Sequence, residues 1–479
     1  MDRKNDRRLR LACYTAYIAQ AIIVNLAPLY FVIFRNAYGI STDRLALLIL
    51  LNFLTQLLTD IFSIRFSTRI GLKRCAVAAH IFCAAGLVVL ALFPRIGSFP
   101  YPAMLAATVV YSIGGGLLET VINPVFATLP KKEGGTGIVL MHAFYCWGQM
   151  AVILLTTLLL RFLGEDLWWA VTLGWAVLPL LNALLLASLT IRETDESGNP
   201  KKADGGGEAA AGDVAAGKAA AGKAATGKAA AAESTAAGSN AKADRDKAAD
   251  APAERAERRQ TARRLLRNGG YLLCLLMILC AGAAEQAMAQ WASYFAEIGL
   301  GKDKTAGDLL GACLFAFFMG LGRTLMGLFG AKLGTRRALF LASGGAVVCY
   351  LVASLAPIPL LSLLFCALTG FSVSVMWPSL LDLSALHYGA TPLVFGYMSL
   401  FGDAGCMSGP FLAGKVADLV ENSAFDSGLA ERLSLSAEQV GIRAGLLVSF
   451  LFPLLLLILL SLFVRRKRGP MGSREALKP

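Results

Sequence analysis

The run Gly114-Gly115-Gly116-Leu117-Leu118-Glu119-Thr120-Val121-Ile122-Asn123-Pro124 lies inside a long apolar stretch. Read as a helix in a bilayer, it places a carboxyl group and an amide at membrane depth. A charged side chain there costs at least ~2.5 kcal/mol, and such residues face a cavity and mark a pathway. Glu119 and Asn123 are four apart and share one helix face. The three glycines admit a second backbone at close range. The rest of the chain reads as scaffold for a polar pathway through a membrane.

Composition agrees. Over 479 residues, 56% are hydrophobic and 16% charged, which excludes a soluble globular chain. Apolar runs of about 20 residues, enough to cross hydrocarbon, fall near 11–34, 45–66, 75–93, 101–128, 137–160, 167–190, 270–296, 306–330, 338–356, 360–385, 392–417 and 441–464. The expected architecture is an all-α membrane protein of about twelve transmembrane helices in two pseudo-symmetric six-helix bundles. Residues 1–191 form the first bundle and 269–466 the second. Between them, 192–268 is Ala/Gly/Lys-rich, with Gly212, Gly217, Gly222 and Gly227 at a five-residue spacing. It has too few branched or aromatic residues to bury a core, and is expected to be a disordered cytoplasmic linker. Its end, with Arg255, Arg258, Arg259, Arg263, Arg264 and Arg267, suits a short helix on an anionic leaflet. Residues 467–479 form a tail.

The net charge of +13 does not point to nucleic acid, because of where the charges sit. Arg3, Lys4, Arg7, Arg8 and Arg10 precede the first helix. Arg65, Arg69, Lys73 and Arg74 follow the second, Lys131 and Lys132 the fourth, and Arg465, Arg466, Lys467 and Arg468 the last. With alternating helices all fall on one side, the positive-inside pattern, so both termini and the linker are expected in the cytoplasm and the protein in the cell membrane. The first apolar run lacks a small-x-small cleavage site and is read as a retained helix. Ten cysteines without CxxC spacing read as small packing residues, so neither disulfides nor a metal is expected.

Polar residues recur at membrane depth. The first helix carries Gln20, Asn25 and Pro28, the last predicting a kink. The second carries Asn52, Gln56 and Asp60 at spacing four, read as cavity lining with Asp60 nearer the cytoplasmic end. The fifth carries His142 and Trp147, and the seventh Glu285, Gln286, Gln290 and Trp291. Glu285 is the second half's counterpart of Glu119. Arg323 in the eighth helix and Asp403 in the eleventh are expected to pair, since either alone is costly. Pro378 in Trp377-Pro378-Ser379 marks a break in the tenth helix, with Asp382 near the mouth. Trp168 and Trp169 read as interfacial anchors, and Ser436 with Gln439 as a capping box opening the last helix.

Two junctions form an internal repeat, Arg69-Ile70-Gly71-Leu72-Lys73-Arg74 after the second helix and Gly327 to Arg337 after the eighth, including Lys332, Gly334, Arg336 and Arg337. Both resemble the signature loop of the major facilitator superfamily. Thr68 and Ala331 stand where that loop has an acidic residue, and Ile64 replaces the first glycine. Leu118-Glu119-Thr120 with Asn123-Pro124, and His142-Ala143-Phe144-Tyr145-Cys146-Trp147-Gly148, resemble the L-fucose:proton symporter and sugar facilitator group of that superfamily. The resemblance implies that Glu119 lies in the sugar pathway and takes part in proton coupling. The aspartate that the symporter uses in its first helix has no counterpart here.

The expectation is a secondary transporter, not an enzyme, moving a small polar solute by alternating access. No Walker A loop and no nucleophile–base constellation is present. Protonation of Glu119, with Glu285, is expected to supply the coupling. Asn25, Asn52, Gln56, Asn123, His142 and Gln290, with Trp147, Trp291 and Trp377, suit a neutral polyhydroxylated ligand such as a sugar. A monomer without cofactor is expected, its partners the solute, protons and the bilayer. The alternatives are a proton-coupled exporter of amphipathic compounds and a non-transporting membrane sensor.

Overall fold

A computed structural model describes residues 3–96, 99–127, 129, 137–191, 260–389, 392–423, 431 and 434–468, without the side chains of 3, 64–69, 127, 137–143, 329–332, 392 and 467–468. Of the expected linker at 192–268, residues 192–259 lie outside the described residues, as do the Lys131–Lys132 pair and the tail from 469, whereas 260–267 are helical and not disordered.

The chain divides into two units, Met1–Asn199 with Leu273–Pro479, and Pro200–Leu272. In the smaller unit, the Asn268 side-chain oxygen accepts from the backbone of Gly270 (2.9 Å) and Tyr271 (3.3 Å), capping the helix that starts at Gly269.

The first half holds six spans: Arg3–Leu29, Thr42–Ile70, Leu72–Ile96, Pro100–Ala127, Gly137–Leu163 and Trp168–Ser188. In the second half they are Gly269–Tyr294 with a π turn at Phe295–Gly299; Lys304–Gly307, a π turn at Asp308–Cys313, and Leu314–Leu333; Thr335–Leu355; Pro359–Val373 with Met376–Tyr388; Pro392–Glu421; and Ala437–Ser449 with Leu451–Arg468. Among the described residues, 11 helices are long and apolar enough to cross a membrane. The eleventh span, 30 residues long, is not among them; it carries Asp403, Lys415, Asp418 and Glu421. The all-α, two-bundle membrane architecture expected from the sequence is the one found.

The internal repeat is visible in the backbone. Gly71 (φ 93°) alone separates the second and third spans, and Gly334 (φ 77°) alone separates the eighth and ninth. Gly39 (φ 64°) and Gly301 (φ 63°) likewise occupy the first–second and seventh–eighth connections. An L side chain in that left-handed region costs about 1–2 kcal/mol, so glycine marks the same turn in both halves. The halves meet through equivalent pairs, second with eleventh and fifth with eighth.

The Gly114–Gly116 run works by close approach. A Cβ on Gly114 would lie 2.6 Å from the Ala79 carbonyl of the third span, and one on Gly116 2.7 Å from the Gln56 carbonyl of the second. The fourth span is therefore wedged between both neighbours.

Prolines break helices where other groups take the freed carbonyls. The first span ends at Leu29, just past Pro28, and a short helix, Phe31–Tyr38, follows. Pro28 leaves Val24 O free, and Gln290 Nε2 donates to it at 3.3 Å. The tenth span breaks at Ser374–Val375, as Pro378 predicts, and Ser374 O accepts from Arg323 Nε at 3.3 Å. The Ser436–Gln439 capping box is present in both directions, at 3.2 and 3.0 Å. Trp168 differs from expectation. It is 3% exposed against Tyr30 and Phe34, because the short second helix folds over it. Nine of the 10 cysteines are buried, as packing residues should be.

Candidate functional site

Three carboxylates from three spans converge. Asp60 (second), Glu119 (fourth) and Asp403 (eleventh) each present an oxygen within 4.8 Å of the others. The wedge of Gly116 makes this possible, since a Cβ there would lie 3.0 Å from Asp60 Oδ1. Asp60 and Asp403 are half-buried and Glu119 is exposed, so the cluster borders an opening and not a sealed core. Asp60 Oδ1 has no hydrogen-bond partner. Two unit charges 4.8 Å apart repel by about 3 kcal/mol at an effective dielectric of ~20. That repulsion disappears when a proton or cation enters.

Around the trio, Asn123 Nδ2 donates to Glu119 O at 3.3 Å and its Oδ1 accepts from Tyr17 OH at 3.0 Å. Trp377 of the broken tenth span packs on Gly402, directly before Asp403.

The expected Arg323–Asp403 pair is not formed. Arg323 NH2 instead meets both Glu285 oxygens at 3.1 Å, while Nε reaches Ser374 O and NH1 contacts Cys146 Sγ at 3.2 Å. The freed carbonyl at Pro378 and the seventh span's Glu285 together hold the guanidinium, so Asp403 is left to Asp60 and Glu119. Glu119 and Glu285, expected as counterparts, thus differ in kind. One sits among carboxylates, the other is neutralised by arginine.

The expected solute-binding set divides. Gln20 Nε2 donates to Gln56 Oε1 (2.8 Å), Gln56 Nε2 to Asn52 Oδ1 (2.8 Å), and Ser112 Oγ to the same Asn52 oxygen (2.6 Å). This buried chain ties the first, second and fourth spans, so Asn52 and Gln56 do not line an opening. Asn25 is buried too, donating to Ala21 O (2.9 Å) and Tyr145 OH (3.4 Å). Gln290 is held by Val24 O and Gln286 Oε1, and Trp291, fully buried, donates to Pro410 O at 2.9 Å. Residues that remain open are Asn123, Trp147, Trp377 and, on the surface, Asp382. Trp147 packs edge-on to Phe317 across the fifth–eighth contact. The side chains of His142, Arg69 and Lys332 lie outside the described residues. Lys73 is half-buried, Arg74 and Arg337 are exposed, and Arg336 reaches His387 Nε2 at 3.4 Å.

Two networks joining the halves were not anticipated. At the end remote from the termini, Arg35 donates to Thr42 Oγ1 (2.8 Å), Tyr294 OH (2.6 Å), Glu421 Oε1 (2.6 Å) and Glu438 Oε1 (2.7 Å). Burial opposes the Arg35 charge, but its hydrogen bond with Glu421 and the neighbouring charges outweigh it and raise its pKa. Beside it Lys415 pairs with Asp43 at 3.1 Å. Deeper, buried Lys304 Nζ donates to Leu29 O of the first half (2.6 Å) and to Asp308 (3.1 and 3.2 Å), with Glu297 3.8 Å away. Asp308, fully buried, also accepts from Ser293 and from Thr157 (2.9 Å) of the first half. The Lys304–Asp308 spacing of four was the only signal in the sequence.

A family model described as Major Facilitator Superfamily matches residues 12–410. No curated protein sequence matches the chain. Among solved structures, a bacterial homolog of the human lysosomal transporter Spinster, inward-facing and unoccupied, is similar over 97% of this chain and 98% of its own, at 14% identity and TM-score 0.68. A mutant of the nucleoside transporter NupG is similar over 96% and 99%, at 12% identity and TM-score 0.65. A D-xylose–proton symporter is similar over 94% and 96%, at 13% identity and TM-score 0.62. At these identities the likeness is one of fold.

Proposed function

The chain belongs to the major facilitator superfamily, and on that premise we propose that it is a proton-coupled secondary transporter of a small polar solute, a sugar in the first instance. As a transporter of this family it is a multi-pass membrane protein. The two bundles, 1–191 and 269–466, rock against each other about the central opening. With the positive-inside orientation both termini are cytoplasmic, in the cell membrane, and the end tied by Arg35 and Lys304 is external. The described arrangement is then inward-facing.

The observation that carries the reading is the carboxylate trio. Asp60 and Glu119 come from the first half and Asp403 from the second, so any rocking of the bundles changes their separation. Charged, they resist being pressed together. Protonated, they no longer do. Proton occupancy and the position of the bundles are therefore linked, which is what coupling requires. Arg323, held by Glu285, needs no such proton. Asn123 and Tyr17 offer hydrogen-bonding groups beside the trio, and Trp377 and Trp147 offer aromatic faces against which a sugar ring can stack.

The test is uptake of labelled sugars into proteoliposomes under a pH gradient, wild type against Glu119→Gln. Gradient-driven accumulation lost in the variant, with exchange of the same sugar retained, supports the reading. Accumulation unaffected by the substitution refutes the role of the trio. The trio also favours a second reading, export of amphipathic cations, because it offers negative charge that no described basic residue pairs. Failure of every sugar, with proton-driven movement of a lipophilic amine, selects that reading.

A further inference from the structure

Away from the central opening, the first and sixth spans enclose a groove of about 430 Å³, walled by Leu11, Thr15, Trp175, Leu178, Leu181 and Leu185. Its polar side chains, Thr15, Trp175 and the buried Asn182, each donate to a group of the protein, Asn182 Nδ2 to Ala12 O at 3.0 Å. Thr15 Oγ1 donates to Leu11 O at 3.0 Å, and Trp175 Nε1 to Thr156 Oγ1 at 2.8 Å. Gly174 leaves open space where a Cβ would sit, and Leu181 is 60% exposed beside it. The groove thus offers apolar surface to the membrane side.

Its terminal end is basic. Leu11 is shared with a second recess of about 520 Å³, lined by Lys4, Arg7, Arg8, Arg10 and Tyr14. Lys4, Arg7, Arg8, Leu11 and Thr15 fall on one helical stripe that runs from the charges into the groove. Arg10 is engaged over the Phe126 ring, whereas Arg7 and Arg8 stand exposed. The stripe is held in place. Asn5 Nδ2 donates to Thr190 O (3.0 Å) and Thr190 N to Asn5 Oδ1 (3.2 Å), fixing the first helix to the end of the sixth span.

We propose that this is a binding site for one anionic phospholipid, its phosphate among Lys4, Arg7 and Arg8 and one acyl chain along the Leu11–Leu185 groove. A free phosphate leaves the groove unused, and a zwitterionic lipid brings no net negative charge to the exposed Arg7 and Arg8. Only a molecule with an anionic head and an apolar tail meets both. Such a lipid spans the first and sixth spans, and so braces the edge of the first bundle.

Native mass spectrometry of the full chain in detergent, titrated with phosphatidylglycerol and with phosphatidylcholine of the same acyl chains, tests this. The first phosphatidylglycerol is expected to bind at least tenfold tighter than phosphatidylcholine. Arg7→Ala/Arg8→Ala reduces it to the phosphatidylcholine level, and Leu181→Trp, which narrows the groove, weakens both lipids. Glycerol phosphate does not compete. A preference that survives the double arginine variant, or full displacement by glycerol phosphate, overturns the proposal. Both substitutions are at exposed positions, so each variant's monodispersity serves as the folding control.

Discussion

The molecule handles charge in two opposite ways. At the end remote from the termini, cations and anions are matched, those of Arg35 and Lys415 across the two halves. Arg35 meets Glu421 and Glu438, Lys415 meets Asp43, and Lys304 meets Asp308 and Glu297. At the opening, Asp60, Glu119 and Asp403 crowd within 4.8 Å. A matched network stabilises the arrangement that forms it and is lost as a unit. A like-charged cluster destabilises the arrangement until something neutral or positive is added. On the proposed function, the first is a latch and the second a sensor. The two should respond to charge removal with opposite signs.

The largest effect is expected at Lys304. Lys304→Met leaves Asp308, fully buried, without its cation, at a cost of about 3–5 kcal/mol. Thermal unfolding in detergent should show a marked loss. Lys304→Met combined with Asp308→Leu removes both charges and should recover most of it, because the burial of one unpaired charge is the source of the cost. A double variant as unstable as the single would mean that packing, not charge, holds this point.

Arg35→Ala comes next. It strands two carboxylates and two hydroxyls that now share one guanidinium, a loss on the order of 2 kcal/mol. Part of that appears as a shift of the closed end toward opening. Spin labels at Asn36→Cys and Lys302→Cys should then report a longer distance than in the unmodified background. An unchanged distance distribution would show that the Lys304 cluster keeps the end shut alone.

The trio reverses the sign. Asp60→Asn or Asp403→Asn removes a repulsion, and Asp60 Oδ1 has no hydrogen-bond partner to lose. Stability should hold or rise by about 1 kcal/mol, while solute uptake loses its dependence on the pH gradient. A clear drop in melting temperature would place these carboxylates with the latch and void the comparison.

What the sequence made legible follows the same division. The twelve-span layout, the glycine turns at Gly71 and Gly334, the Pro378 break and the Ser436 cap rest on local rules of length, φ and hydrogen bonding, all readable along the chain. Glu119 was legible as a lone acid in an apolar run. Its partners were not, because Asp60 and Asp403 lie 59 residues before and 284 residues after it, and only span packing brings them near. The Arg323 assignment failed for the same reason: depth estimated from sequence leaves several acids at one level, and the rotation of each helix decides among them. Asn52 and Gln56 show the limit of periodicity. Spacing four places them on one face, but whether that face meets an opening or Gln20 of another helix is a tertiary matter.

The smallest effect should be at Lys415. Its side chain is 43% exposed and that of Asp43 30%, so water screens the pair and its contribution is below about 1 kcal/mol. Lys415→Met should lower the melting temperature only slightly at low ionic strength. At 1 M salt, where the screening length shrinks to about 3 Å, the difference from wild type should vanish. The Lys304 variant should keep its deficit at both ionic strengths, because solvent ions do not reach a buried pair. If instead the Lys415 deficit persists in high salt, Asp43 is shielded more than its exposure implies. The latch would then extend as one network from Asp43 through Arg35 to Lys304.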